Sequence, residues 1–188
     1  VALASKGEGD VSIDTREAWL ERRRKCIGGS DIAAILGRSR WRTAAQVYAD
    51  KRGEDDPQPE TLPMRRGKAL EPLVLAAYQE ETGRELDRSL TLEVRHPQYP
   101  WAGGTLDGAT TCGRVVEAKT ADFSRGWGEP GTDQIPEDYL LQVQWYMAVA
   151  SASWRRPVAL ADVPVLIGSA LRVYVVQADP ELDRKSVV

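Results

Sequence analysis

The spacing of apolar and polar positions divides this chain into a helix-rich first half and a second half of strands around one long helix. Four segments of the first half carry helix signals, each with a capping residue or a glycine stop. They are a helix from about Thr15 to Cys26 behind the Asp14–Glu17 capping pair, a short apolar helix with Ser30 as N-cap and Gly37 as its stop, a helix from Thr43 to near Gly53, and a long helix over 64–83 that ends at Gly83. Residues 1–13 are small and polar and are predicted to be disordered, which leaves a single domain over 14–188.

In the second half, apolar residues recur with the period of two that strands require. We predict a strand over 86–94, two short strands over 101–108 and 113–121 joined by a glycine-bearing hairpin, a helix opened by Pro136 and running to about Ala150, and two final strands over 158–168 and 170–177 that are apolar enough to be central. This order indicates an α/β (α+β) fold, with a mixed central sheet of about five strands flanked by helices.

Two charged residues interrupt the apolar strand VVEAKT, residues 115–120. Side chains alternate across a strand, so Glu117 and Lys119 share a face. If the two short strands pair as a hairpin, Asp107 faces Glu117 across it. On the long helix, Glu71 shares the apolar stripe, where a carboxylate is costly unless a positive charge meets it.

Carboxylates that converge in this way tolerate one another best when a divalent cation lies between them. Oxygen ligands without His or Cys select Mg²⁺, with Mn²⁺ possible. Two cysteines and one histidine are too few for an Fe–S cluster or a histidine-ligated zinc site. Each residue also has a structural explanation: an exposed ion pair for Glu117 and Lys119, a turn for Asp107, and an arginine partner for Glu71.

The charge distribution along the chain indicates an anionic partner. The net charge is −3, yet residues 16–52 hold ten Lys or Arg against four Asp or Glu, a local balance of +6. Such clusters suit an anionic partner, although solvated helix faces would also explain them. No apolar run has the length of a membrane span and no signal pattern opens the chain, so no membrane and a cytoplasmic location are expected.

Four sequence blocks occur together in an order that resembles a known family. They are WLERRRKCIGGSD (19–31), RGKALEP (66–72), TLDG with EAK (105–108 and 117–119), and YLLQVQWYM (139–147). Asp107, Glu117 and Lys119 resemble the PD-(D/E)xK nuclease signature, with Leu106 where the name has proline. Together the blocks resemble the YqaJ-type viral recombinases of the lambda exonuclease family, over about residues 15–177.

The resemblance implies a restriction-endonuclease-like core and a role for each matching residue. Asp107, Glu117 and the backbone carbonyl of Ala118 would bind the metal, with Glu71 completing or tuning the site, and Lys119 would position the attacking water. Arg23, Ser30 and Gln142 would capture a 5′-terminal phosphate. Gln144 is a weaker candidate for DNA contact, because it lies about 200° around the helix from Gln142.

The activity that the resemblance implies is a Mg²⁺-dependent phage recombination exonuclease. It would digest one strand of double-stranded DNA from the 5′ end and leave a 3′ overhang for a single-strand annealing protein, and it would form a homo-oligomer, by family resemblance a trimer. The alternatives are an endonuclease or nickase with the same metal site, a DNA-binding module with a vestigial site, and an α/β domain that binds a small anion.

Overall fold

Five helices and seven short strands follow one another along residues 16–54 and 59–181, the part of the chain that the computed structural model describes. The predicted N-terminal segment 1–13 and the Asp14–Glu17 capping pair lie outside the described side chains. The helices are α1 (Arg16–Arg24), α2 (Gly29–Ile35), α3 (Ala44–Arg52), α4 (Leu62–Thr82) and α5 (Glu137–Trp154). The strands are β1 (Glu93–Arg95), β2 (Gly103–Thr105), β3 (Gly108–Ala109), β4 (Val115–Val116), β5 (Lys119–Ala121), β6 (Leu160–Ile167) and β7 (Ala170–Gln177).

The helix ends follow the capping residues in α3 and α4. The Thr43 side chain caps α3, and Gly53 and Gly83 end α3 and α4 with φ values of 70° and 65°, a region that favours glycine. These predictions are confirmed.

Two other predicted helix starts are wrong. The N-cap of α2 is Gly28, and Ser30 is the second residue of the helix. The carboxylate of Asp31 accepts the Gly28 backbone N–H at 3.0 Å, so this acid satisfies the helix start and the Ser30 hydroxyl does not serve as its cap. Pro136 is likewise the N-cap of α5 rather than its first residue, and α5 continues past Ala150 to Trp154.

The main sheet has a long central strand, β6. Strand β7 pairs antiparallel along one edge of β6, while β4 and β5 pair parallel along its other edge, and β3 pairs antiparallel with β4. Strands β1 and β2 form a separate two-stranded sheet. The predicted mixed sheet with flanking helices is confirmed.

The strand predictions fail where strands are short. The expected strand over 86–94 reduces to an isolated bridge at Leu86 and to β1, because Asp87 and Ser89 form a turn in which the Asp87 carboxylate accepts the Ser89 N–H at 2.9 Å. The hairpin is present, but only β3 and β4 pair in it. Strand β7 is not central, since it pairs only with β6 among the described strands.

Helices cover both faces of this sheet. On one face the Tyr78 hydroxyl of α4 donates to the buried carboxylate of Asp162 on β6 at 2.6 Å. On the other face α5 presents Gln142 to Glu117 and Lys119. None of the helices in the described part of the chain combines the length and hydropathy that crossing a bilayer requires.

Candidate active site

The candidate site lies at an interruption between β4 and β5. Val116 pairs with Asp162 and Lys119 pairs with Val165, so the register with β6 is continuous although neither strand includes residues 117 and 118. The Glu117 N–H donates to the Asp162 carbonyl at 3.1 Å, so residue 164 should supply the next N–H on the same edge of β6. Residue 164 is proline and has no N–H. The interruption between β4 and β5 therefore lies where β6 lacks a backbone hydrogen-bond donor.

Asp107 faces this interruption from the end of β3. Because the Glu117 backbone faces β6, the Ala118 backbone faces the opposite way, and its N–H donates to Asp107 Oδ2 at 2.8 Å. The predicted approach of Asp107 to the strand that carries Glu117 and Lys119 is thus present. The geometry orients the Ala118 peptide toward Asp107 as well.

Glu117 and Lys119 share a face, as the alternation predicts. Lys119 Nζ lies 2.7 Å from Glu117 Oε1, and both side chains are largely removed from solvent. Gln142 on α5 completes the cluster: its Nε2 donates to Glu117 Oε1 at 2.6 Å and its Oε1 accepts from Lys119 Nζ at 3.1 Å. The Lys119 ammonium also lies 4.8 Å from the centre of the Tyr139 ring, a cation–π contact.

Glu71 reaches the same electrostatic environment from α4. Burial raises its pKa, the negative charge of Asp107 raises it further, and the positive charge of Lys119 lowers it. Glu71 therefore lies close enough to respond to both groups. Hydrogen bonds join Glu117, Lys119 and Gln142, and electrostatic interactions link Asp107 and Glu71 to this group.

The titration behaviour reflects burial of like charges. Burial and the neighbouring charge of Glu117 raise the pKa of Asp107 to about 7. Burial also raises the pKa of Glu117, although Lys119 opposes this shift. For Lys119, burial alone would lower the pKa, but the charges of Glu117 and Asp107 outweigh burial and raise it. The site holds negative charge that a cation would stabilise.

A divalent metal fits the donors in kind. Glu117 Oε2 is the single buried side-chain polar atom among the described residues without a hydrogen-bond partner. Buried polar atoms in proteins are normally hydrogen-bonded, so this oxygen is unusual. Asp107, the Ala118 carbonyl and Glu71 add only oxygen donors, the type that Mg²⁺ and Mn²⁺ prefer. As the side chains stand, however, residues 16–54 and 59–181 contain no group of three or more His, Cys, Asp or Glu placed to hold a metal ion.

A cavity of about 200 Å³ lies beside the cluster of Glu117, Lys119 and Gln142. We call it the arginine–serine cavity, because Arg23 and Ser30 line it and Arg23 Nη2 donates to Ser30 Oγ at 3.4 Å. Tyr146 of α5 also lines it. Two of the three residues that the family resemblance assigns to a terminal phosphate are therefore neighbours, beside the N-terminal end of α2. The third, Gln142, bonds to Glu117, Lys119 and Tyr146.

Gln144 is placed elsewhere. Its amide nitrogen donates to the Gln177 carbonyl at 2.8 Å, and its oxygen accepts the Asp179 N–H at 3.0 Å. These bonds join α5 to the chain that follows β7. The structure does not bring Gln144 to the carboxylates, and its contact with DNA stays a prediction.

Three residues of this region were not identified from sequence. Tyr139 and Tyr146 flank Gln142 on α5 at helical spacings of three and four, a signal that reads equally well as core packing. Asp31 is only 1% exposed and pairs with Lys51 at 2.7 Å and with Arg42 at 3.4 Å. Arg42 and Lys51 are two of the cations whose clustering predicts an anionic partner, and both are paired with Asp31.

Comparison with known proteins finds related sequences. Residues 18–153 match the model of the YqaJ-like viral recombinase domain. The uncharacterized protein YqaJ of Bacillus subtilis (strain 168) is 32% identical over 175 residues, which cover 89% of this chain and 52% of that protein. The chain thus spans about half the length of this curated relative.

Solved structures show the same fold. The alkaline exonuclease LHK-Exo of Laribacter hongkongensis superimposes with a TM-score of 0.67 at 20% identity, over 90% of this chain and 86% of that one. The structure of LHK-Exo in complex with dAMP gives a TM-score of 0.68 with the same identity and coverage. The likeness shows that the chain shares the nuclease fold expected from its sequence.

Proposed function

Because the chain belongs to the family of YqaJ-like viral recombinase domains, we propose that it is a metal-dependent deoxyribonuclease, an exonuclease that hydrolyses one strand of linear duplex DNA from a 5′-phosphorylated end. The observation that carries the proposal is the arrangement of Asp107, Glu117 and Lys119 at the interruption between β4 and β5. The alkaline exonuclease activity named for LHK-Exo supports it.

The metal would be held by Asp107, Glu117 and the Ala118 carbonyl, with Glu71 contributing from α4. Mg²⁺, when bound there, supplies Lewis-acid activation of water and neutralises charge on the phosphodiester. Lys119 would orient the attacking water and stabilise the negative charge that develops on the phosphate oxygens. Gln142 fixes both Lys119 and Glu117 through its amide, which keeps the lysine aimed at the reacting phosphate.

Directionality would come from the arginine–serine cavity. A guanidinium and a hydroxyl beside the start of α2 suit a terminal phosphate, because both donate to its oxygens. A 5′-phosphate held there would place the adjoining phosphodiester near Lys119 and Glu117. We extend the proposal to a single-strand annealing protein and to a homo-oligomer on the strength of the family resemblance.

The decisive assay compares DNA substrates. With Mg²⁺, we expect release of nucleotides from linear duplexes, faster from 5′-phosphorylated than from 5′-hydroxyl ends, and no cleavage of closed circles. Cleavage of circles with no effect of the 5′-phosphate would replace the exonuclease with an endonuclease that uses the same metal site.

Lys119→Ala tests the chemistry. We expect it to reduce Mg²⁺-dependent nucleotide release by about a hundredfold or more, because removing one charge-stabilising donor costs about that much in comparable sites. Binding to a short duplex, measured in EDTA, should persist. Lys68→Ala, which alters an exposed lysine paired with Glu60, is the matched control. Unchanged release by Lys119→Ala would remove this lysine from the mechanism.

A further inference from the structure

Both protons of the Gln142 amide nitrogen are donated within the protein. An amide nitrogen carries two protons. One is donated to Glu117 Oε1 at 2.6 Å and the other to the Tyr146 hydroxyl oxygen at 3.3 Å. The orientation of this amide is fixed by Lys119, since an ammonium group can only donate and the amide oxygen must therefore face it. A second donor from α5 would therefore add to what Gln142 can offer a phosphate in the arginine–serine cavity.

Tyr146 lies one helical turn beyond Gln142 and lines the cavity together with Arg23 and Ser30. Its hydroxyl oxygen accepts the bond from Gln142, and this leaves the O–H proton for an acceptor in the cavity. Burial raises the pKa of this phenol, and the charges of Glu117 and Arg23 both act on it, Glu117 raising its pKa and Arg23 lowering it. The hydroxyl thus stands between the cavity and the catalytic cluster.

Two glycines fix the tyrosine ring in this position. A Cβ atom at Gly29 would lie 2.7 Å from Tyr146 Cε1, and one at Gly104 would lie 2.5 Å from the same atom. Both distances are too short for a real contact, so the ring occupies a slot that only glycine leaves open on either side. The ring is 6% exposed. A hydroxyl held this firmly can select a ligand by geometry.

We propose that Tyr146 is a specificity-determining residue for the DNA end: its hydroxyl donates a hydrogen bond to the terminal 5′-phosphate in the arginine–serine cavity. The cavity volume of about 200 Å³ is several times the ~30 Å³ that one water occupies in the liquid, so a phosphate group fits. Through Gln142, the same hydroxyl fixes the end of the strand relative to Glu117 and Lys119. The inference deepens the proposed function and rests on it for the identity of the ligand.

The test is Tyr146→Phe, which keeps the ring between Gly29 and Gly104 and removes only the hydroxyl. Tyr48→Phe, on the exposed side of α3, is the matched control. For each protein, kcat/KM is measured on otherwise identical linear duplexes with a 5′-phosphate or a 5′-hydroxyl. The affinity for the same two duplexes is measured by fluorescence anisotropy in EDTA, where no cleavage occurs, and thermal melting confirms that each variant is folded.

We expect Tyr146→Phe to reduce the phosphate-to-hydroxyl ratio about tenfold in both measurements, because a hydrogen bond to a charged group is lost. Tyr48→Phe should retain the ratio of the unaltered protein. An unchanged ratio in Tyr146→Phe, or equal losses on both duplexes, would overturn the inference, and so would an unaltered protein that does not distinguish the two ends.

The two proposals can fail separately. If the protein releases nucleotides and Tyr146→Phe keeps the preference for 5′-phosphate, the inference fails and the nuclease function stands. If no nucleotide is released but the binding preference is present and depends on Tyr146, the nuclease function fails and the inference stands.

Discussion

Glu117 combines roles that are usually divided among several side chains. Its backbone N–H continues the ladder to β6, one carboxylate oxygen accepts bonds from Lys119 and Gln142, and the other oxygen is buried without a partner. An unpaired buried carboxylate oxygen destabilises the folded chain. A cation bound at this site would offset that destabilisation, because the ion would accept the unused lone pairs of the Glu117 carboxylate.

Asp107 makes the stability of the metal-free protein depend on pH. The folded-state pKa of about 7 lies above the ordinary pKa of 3.8 for an aspartate, so the folded chain binds the proton more tightly than the unfolded chain does. The free energy of unfolding in EDTA should therefore fall as the pH rises from about 4 to about 7. Asp107→Asn should weaken this fall, which urea denaturation at pH 5 and pH 8 would measure.

The control for this experiment is Asp133→Asn, an exposed residue of the loop before α5. It should retain the pH dependence of the unaltered protein. The same dependence in Asp107→Asn and in the control would show that Asp107 does not hold its proton more tightly in the folded chain.

At the residue scale, the charged residues of the site could be predicted from the sequence, but the hydrogen bonds that Gln142 makes to them could not. The alternation rule places Glu117 and Lys119 on one face, and the hairpin places Asp107 near them. That Gln142 would bond to both Glu117 and Lys119 depends on how α5 packs across the sheet. Local sequence does not contain that packing.

Among the elements, α4 is anchored by a buried ionic contact behind the site. Asp162 on β6 is fully buried and accepts from the Tyr78 hydroxyl of α4 at 2.6 Å and from Arg114 Nη1 at 2.7 Å, with Arg84 3.5 Å away. Burial and the bond to Asp162 raise the pKa of Tyr78, so the phenol remains a donor. The contact fixes the helix that carries Glu71 against the strand next to Glu117.

Removing this anchor should destabilise the fold. Asp162→Ala leaves two arginines without their buried partner and should lower the free energy of unfolding by about 3–5 kcal/mol. Tyr78→Phe removes one bond to a charged group and should lower it by about 1.5–3 kcal/mol. Urea denaturation measures both, with the exposed Asp179→Asn as control. A loss below about 1 kcal/mol in Asp162→Ala would contradict the anchoring role.

The elements differ in how well sequence predicts them. The ends of α3 and α4 follow from Thr43, Gly53 and Gly83, and the long strands β6 and β7 follow from their apolar runs. The strands of two or three residues were misjudged, because so few residues carry no reliable period. Their pairing is decided by distant partners and by turns such as the one at Asp87.

For the whole molecule, the question is which cations are available to DNA. Local charge predicted a basic first half, yet Arg42 and Lys51 pair with buried Asp31 and Arg38 approaches Glu137 at 3.7 Å. Sequence counts charges but not their pairing, which the tertiary fold decides. An exposed arginine, Arg125, lines a broad groove with Tyr139, the residue that contacts the Lys119 ammonium.

The salt dependence of DNA binding should identify the arginines that contact phosphate. We expect the logarithm of the association constant to fall linearly with the logarithm of salt concentration, with a slope of about −0.9 for each phosphate contact on duplex DNA. Arg125→Ala should make this slope shallower by about that amount. Arg52→Ala, whose side chain pairs with Glu54, should not. Equal slopes for Arg125→Ala and the unaltered protein would exclude the groove from the DNA contact.

Pro164 affects both the stability of the main sheet and the backbone of the candidate site. A residue with an N–H at that position would join β4 and β5 into one continuous strand and would make the sheet sturdier. The same added bond would restrain the peptide between Glu117 and Lys119, which belongs to the proposed metal site. We therefore expect replacement of Pro164 by a residue with an N–H to strengthen the sheet and to restrict the backbone at the proposed metal site.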